Sequence, residues 1–383
     1  MIRQFLTLSA GEGVARGLHA LGFLALARSV GPGSLGAFGV AQAVASYGLL
    51  AVQRGLDVPA MLRVGREPGQ SEAVQAAMVR LRLPVFICLV TGAVIWGNLL
   101  VLAMAGMWLA AALQTRWLLL ARGKSAAVAV AAVLAAAVFL GTAISGLPLI
   151  WVAGALSAGE LLGMIWCWRA TGFSFGWVSA LAGPLERESW PFLVSVLLGN
   201  LLYNMDVFVL GAVRSAAEVG LYVAAYRLLT VFSPILGALQ NSSLPLFGKL
   251  YPDGAAAEKL ALGVWGRSAA VSAAMALILG VVPAHLLRLL YGEGFLDAAA
   301  LVPVFALVLP VQVTRMVYRQ ALLAFKGEKR DLANLAGAVG VNLGLDLLLA
   351  PRYGAMGCAI STLCAESCLA FLTWRAWRRI SCA

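Results

Sequence analysis

Charge is scarce in this chain, and that scarcity excludes most soluble folds. Charged residues fill 12% of 383 positions and hydrophobic ones 62%, with a mean hydropathy of +0.90. A soluble domain carries roughly 25% charged residues, so the surplus apolar surface must face lipid. Histidine is nearly missing: His19 and His285 are the only two, and neither stands near a cysteine pair. No metal site is therefore expected. The six cysteines (Cys88, Cys167, Cys358, Cys364, Cys368 and Cys382) form no C-x-x-C pair and read as small core residues. Walker A and H-E-x-x-H motifs are absent, and no segment between apolar runs exceeds about 20 residues. The literal G-x-G-x-x-G at Gly31–Gly36 joins two apolar runs with no strand before it, so it carries no nucleotide reading. Asn241-Ser242-Ser243 resembles a glycosylation acceptor but falls near a cytoplasmic helix end.

What is present is a series of apolar runs. A span needs about 20 mostly apolar residues. Twelve stretches qualify: 5–28, 35–62, 74–97, 99–121, 125–145, 147–169, 189–212, 217–246, 260–283, 298–324, 330–350 and 353–375. The first holds Glu12, Arg16 and His19, which reads as a retained span rather than a signal peptide. The net charge of +11 does not point to nucleic acid, because the basic residues form short clusters between the runs. With the N-terminus inside, nineteen Lys and Arg fall on cytoplasmic segments, Arg80, Arg82 and Arg116 among them. Only Arg28, Arg214, Arg288 and Arg352 fall outside. The positive-inside rule then places both termini in the cytoplasm. Trp177, Trp190, Trp374 and Trp377 stand near inner interfaces, and Trp96 and Trp151 near outer ones.

The chain also echoes itself. Arg28-Ser29 and Gly36-Ala37-Phe38 after the first run resemble Arg214-Ser215 and Gly220-Leu221-Tyr222 after the seventh. Leu118-Leu119 and Arg122-Gly123 match Leu322-Leu323 and Lys326-Gly327 at a constant offset of 204. Two parallel six-helix lobes, 1–182 and 183–383, are expected, an architecture of transporters. The expected fold is an all-α polytopic membrane protein of about twelve transmembrane helices.

Charges inside the runs carry the functional signal. Each costs roughly 2.5–3.5 kcal/mol at the bilayer centre, so each must pair, reach an interface or line a wet cavity. The cations are Arg16, Arg54, Arg227, Arg315 and Arg319, with no lysine among them. The acids are Glu12, Asp57, Glu160, Asp206, Asp346 and Glu366. Glu12 with Arg16 and Arg54 with Asp57 have same-face spacing. Arg227, Arg315 and Arg319 have no acid within helical reach on their own runs, and Arg319 is expected to snorkel to the interface. A guanidinium keeps its charge and matches phosphate oxygens with a fork of donors, whereas a buried lysine can lose its proton. Arg16, Arg54, Arg227 and Arg315 are thus candidate ligands of a pyrophosphate. Tyr222, Tyr226, Asn200 and Asn204 are candidate sugar contacts, with Tyr203 and Gln312 beside them. Interhelical hydrogen bonding is the competing account of these polar residues. Glu160, Asp206 and Glu366 are candidates for ion coupling.

These features resemble the polysaccharide flippases, the O-antigen branch of the multidrug/oligosaccharidyl-lipid/polysaccharide exporter superfamily. The resemblance spans the chain and rests on three stretches. Ala27-Arg28-Ser29-Val30-Gly31-Pro32, Leu35-Gly36-Ala37-Phe38 and Arg54-Gly55-Leu56-Asp57 are the first. Asn204-Met205-Asp206, Val219-Gly220-Leu221-Tyr222 and Ala224-Ala225-Tyr226-Arg227 are the second. Asn342, Pro351-Arg352-Tyr353-Gly354-Ala355 and Gly357 are the third. It implies a V-shaped bundle around a central cationic cavity that flips an undecaprenyl-pyrophosphate-linked oligosaccharide across the bacterial inner membrane. It implies no cofactor and no enzymatic step. The implied partners are the lipid-linked substrate, membrane lipid and other polysaccharide-assembly proteins. A cation-coupled exporter of small amphiphiles is the alternative, although its cavity should favour acids. An integral-membrane polysaccharide polymerase would need a larger outer loop than residues 284–297 provide.

Overall fold

The computed structural model describes residues 2–172, 182–230 and 246–381; Trp177, Asn241-Ser242-Ser243 and Cys382 lie outside them. Among the described residues there are helices and no strands. The main helices are α1 (Ile2–Gln53), α2 (Asp57–Arg66), α3 (Ser71–Trp96), α4 (Leu99–Met104), α5 (Gly106–Leu113), α6 (Arg116–Ala121) and α7 (Ser125–Ile144). They continue with α8 (Leu149–Thr171), α9 (Ala182–Val213), α10 (Ala216–Thr230), α11 (Gly254–Val281), α12 (Pro283–Tyr291), α13 (Val302–Ala324) and α14 (Glu328–Ser381). Each of the twelve expected apolar stretches is predominantly helical over its described residues. Among the described residues eight helices are long and apolar enough to cross a membrane.

Two helices are too long for one crossing. The 54 residues of α14 would measure about 81 Å unbroken, against a hydrocarbon layer of about 30 Å. Gly354, at φ 57° and ψ −135°, breaks it. The halves fold back on each other, because Asn342 and Ser361 are joined by two hydrogen bonds of 3.1 and 2.9 Å. Nineteen residues of continuous helix would hold them about 28 Å apart. Gly31, at φ 73°, breaks α1 in the same way, and Pro32 follows where a first-turn proline costs no hydrogen bond. Elsewhere side chains set the helix starts. Asn98 Oδ1 accepts from the Leu100 and Val101 amides at the head of α4, and Asp253 from that of Ala256 at the head of α11.

The chain forms two compact units, Met1–Val30 with Val40–Leu197, and Gly31–Gly39 with Leu198–Ala383. Small residues let helices approach inside each, as in other membrane bundles. In the first unit the Trp108 indole lies against Gly48 and donates to Ala45 O at 2.8 Å. Gly159 lies against the Ala135 backbone. In the second unit Gly36 and Gly220 meet backbone to backbone. Of the expected interface tryptophans, Trp96, Trp151, Trp190 and Trp374 are exposed. Trp377 is not: it is fully buried and donates to Glu258, because an indole N–H inside a bundle needs an acceptor.

The glycine crossing gives a direct test. A Cβ at Gly220 would lie 1.9 Å from Pro32 O, which no rotamer can relieve. Gly220→Ala should lower stability by at least about 1–3 kcal/mol, the usual cost of overpacking. Gly141→Ala, where nothing lies within 4 Å, should be neutral or stabilising. Thermal unfolding of the detergent-purified variants reads the difference, and equal midpoints would refute the crossing.

Candidate functional site

In the first unit most of the charges find partners far along the chain. Arg16 is exposed and stands 3.5 Å from Glu12, the expected same-face pair. The Arg54–Asp57 pair does not form. Helix α1 ends at Gln53, and Arg54 (φ 53°) and Gly55 (φ 64°) turn the backbone, so the two residues share no helix face. Arg54 instead pairs with Glu186 and donates to Leu81 O at 3.4 Å. Asp57 accepts from Arg82 at 2.7 Å and Gln114 at 3.2 Å. Arg82, expected as a cytoplasmic loop charge, is fully buried and also donates to the carbonyls of Gln53 and Ala111. Its place well inside the expected span 74–97 was the available signal. Glu160 is neutralised by Arg116 at 2.8 Å.

In the second unit the arginines expected to lack partners have them on other helices. Arg319 reaches Asp331 at 3.0 Å, across the turn from α13 to α14. Arg315 lies between two environments. Its Nε is 2.9 Å from Glu366 Oε2, and its Nη2 donates to Tyr203 at 2.7 Å. The Glu366 side chain is 1% exposed, whereas Tyr203 is 38% exposed. The Nε contact is close but poorly aligned as a hydrogen bond, so charge dominates it. Gln312 donates to the other Glu366 oxygen at 3.0 Å. One edge of the guanidinium thus faces a buried carboxylate, and the other faces an exposed phenol.

Asp206 has no such counter-ion among the described residues. Its Oδ2 accepts from Tyr222 and, at 2.6 Å, from Thr362. Asp346, fully buried, lies against it, beside Ser361 and Cys358. The Ser361 hydroxyl is committed to Asn342 O. No donor reaches Asp206 Oδ1 or either Asp346 oxygen among the described residues. Two ionised carboxylates about 4 Å apart repel by about 4 kcal/mol at an effective dielectric of 20. A shared proton or a small cation removes that cost. Asp346, Thr362 and Asn342 were not singled out in the sequence for this site. The spacing of Asn342 and Asp346, one helical turn, was the signal for a shared face.

The remaining candidates surround these two clusters. Tyr222 is held inside its unit with its hydroxyl on Asp206, and Tyr226 stacks on it at 6.2 Å. Both rings meet Phe305 edge-on at 5.4 Å. Asn204 donates to Asn200 O at 3.4 Å. Arg227 lies near Tyr291, from the segment expected outside. Burial pushes that phenol up to about 12, with the Arg227 charge pulling the other way.

A family model described as "Polysaccharide biosynthesis protein" matches residues 78–251. Among solved structures the chain is similar to the lipid II flippase MurJ in an inward closed conformation. The TM-score is 0.80 at 12% identity, covering 98% of this chain and 90% of that one. It is similar to an inward-facing MATE-family multidrug resistance transporter of the MOP superfamily, with a TM-score of 0.78 at 15% identity, covering 95% and 94%. A MOP superfamily transporter from Pyrococcus furiosus, described as having a binding pocket of reverse polarity, gives 0.63 at 17% identity, covering 99% and 95%. No curated protein sequence matches. With membrane-crossing helices along its length, the chain is a multi-pass membrane protein with the fold of the MOP-superfamily transporters, and its residues 78–251 match the polysaccharide biosynthesis family.

Proposed function

We propose that this chain flips an undecaprenyl-pyrophosphate-linked oligosaccharide across the bacterial inner membrane by alternating access, in the assembly of a surface polysaccharide such as O-antigen. It acts without covalent chemistry, and both its termini lie in the cytoplasm. The observation that carries the reading is the set of arginines, with no lysine, placed inside the apolar runs. The match of residues 78–251 to a polysaccharide biosynthesis family supports it, as does a fold shared with a flippase of lipid II. Arg315 supplies the donor edge beside Tyr203, while Glu366 balances its charge when no phosphate is bound. Arg227, Arg16 and Arg54 are the further phosphate ligands of the proposal.

Asp206 is the strongest coupling candidate. Glu160 and Glu366 each have an arginine as counter-ion, whereas Asp206 faces a second carboxyl. Exchange of one proton or Na⁺ at Asp206 and Asp346 would tie translocation to an ion gradient. The same pair favours a second reading, the cation-coupled export of small amphiphiles.

Proteoliposomes separate the readings. Translocation of a polyprenyl-diphosphate-linked oligosaccharide is followed by exposure of the sugar to a membrane-impermeant oxidant. Arg227→Ala should lower it about ten- to a hundred-fold, the worth of one charge-assisted hydrogen bond. Arg315→Lys, which keeps the ion pair but loses the fork, should lower it less. A fully active Arg227→Ala protein, or export of amphiphiles with no movement of the lipid-linked sugar, would overturn the flippase reading.

The ion-gradient response gives the next test. Asp206→Asn and Asp346→Asn should each abolish acceleration by an imposed proton or Na⁺ gradient. A wild-type response in both variants would remove the pair from coupling. Accessibility labelling of single cysteines near residues 3 and 380 should mark both termini as cytoplasmic; opposite faces would break the twelve-span topology.

A further inference from the structure

The two carboxyls come from different helical hairpins, so something must fix their separation. Asp206 is on α9, which turns into α10 at Arg214-Ser215; Asp346 is on the first half of α14, which turns at Gly354. The two turns are joined by two side chains. Arg214 Nε donates to Ala350 O at 3.2 Å and Nη2 to Pro351 O at 2.9 Å. Glu218 Oε1 accepts from the Ala355 amide at 2.7 Å. Arg214 therefore satisfies carbonyls orphaned at the end of one half-helix, and Glu218 an amide orphaned at the start of the next. Each charge has the sign that its helix end favours. Gly354 admits the carboxylate, because a Cβ there would lie 1.7 Å from Glu218 Oε1.

The clamp lies close to every member of the acid cluster. Tyr222 is one turn beyond Glu218, Asp346 one turn before Ala350, and Cys358 and Thr362 one and two turns beyond Gly354. Asp206 is about 12 Å along α9 from Arg214. The titratable groups that face the pair are Tyr222 and, stacked behind it, Tyr226 from α10, and Cys358 from the second half of α14, with Glu218 more distant.

We infer that Arg214 and Glu218 are positioning residues which dock the two hairpin turns, fix the spacing of Asp206 and Asp346, and so set the concentration at which the pair takes up its proton or Na⁺. The inference rests on the coupling reading of that pair. A merely structural cap would leave this concentration alone, whereas a change in spacing would alter it directly, since affinity for a bound proton or cation depends on how closely the two oxygens converge.

The test is thermal unfolding of the purified protein in lipid nanodiscs, over a range of NaCl at constant ionic strength made up with KCl, and separately over pH. Ligand that binds the folded state raises the midpoint by mass action, so the curve yields a half-saturating Na⁺ or proton concentration. Glu218→Ala should raise it about ten-fold, in line with loss of one hydrogen bond to a charged group. Glu218→Gln keeps a carbonyl acceptor for Ala355 and should restore most of the wild-type value. If Glu218→Ala cannot be recovered folded, Arg214→Gln carries the test with the same expected shift. A midpoint lowered equally at every Na⁺ concentration and pH, with the half-saturating point unmoved, would overturn the positioning role. Asp206→Asn is the separate control and should erase the ion-dependent stabilisation. If it does not, the coupling reading has failed, and the clamp falls with it for want of a pair to position.

Discussion

The cost of charge in hydrocarbon governs how this bundle is put together. Each ionised side chain at membrane depth carries a penalty of roughly 2.5–3.5 kcal/mol, which backbone geometry cannot offset. The chain meets it with partners from other helices. Asp57 accepts from Arg82, Glu160 from Arg116, Asp331 from Arg319, and Glu366 faces Arg315. Each of these contacts joins two different helices, so each fixes a packing arrangement as well as a charge. Breaking one by removing a single partner is more damaging than replacing both. Small residues make the contacts geometrically available. Gly163 stands close to the Arg116 guanidinium, and Gly354 gives Glu218 access to a helix end.

Within that scheme Asp206 and Asp346 are the exception. Every other buried acid in the two clusters has an arginine, and its charge is balanced in one fixed way. Two carboxyls side by side balance only by taking something up. A static bundle would gain from replacing one of them with an amide, because the hydrogen bonds from Tyr222 and Thr362 would remain available. In the proposed coupling, keeping both acids would make the second unit responsive to proton or cation supply, whereas Arg315 and Glu366 already balance each other's charge.

The helical layout was legible in the sequence because it depends on a short-range quantity, the length of apolar runs. All twelve stretches are predominantly helical where described. Pairing was less legible, since depth in a run says nothing about the facing helix. Arg315 looked unpaired because Glu366 stands 51 residues later. The Arg54–Asp57 reading assumed a continuous helix where Arg54 and Gly55 both take positive φ. Gly55 hinted at a turn, but the arginine before it did not. Arg82 was misplaced for a related reason. Its neighbour Arg80 is exposed, as a topology signal should be, while Arg82 points to Asp57 inside the unit. Two arginines two positions apart therefore read alike in sequence and differ in role. Trp377, too, reads as an interface anchor until Glu258 supplies its acceptor.

The pattern of echoes then gains a physical meaning. Arg214-Ser215 repeats Arg28-Ser29 after the corresponding run, and in the second unit that arginine caps a helix break and docks two hairpins. In the expected topology Arg214 falls on the outer face, against the positive-inside bias, and the orphan carbonyls of Ala350 and Pro351 give it a local role. Glu218 follows in the first turn of α10, and Gly220 two residues beyond packs on Pro32 and Gly36. The N-terminal end of α10 thus touches three things at once: the break in α14, the segment 31–39 of α1, and, through Tyr222, the buried acids. Asp206 is joined to this helix end through the Tyr222 hydroxyl. Segment 31–39 is continuous in sequence with the first unit through α1, and Leu198 through α9, so these two helices are the covalent elements that join the second unit to the first.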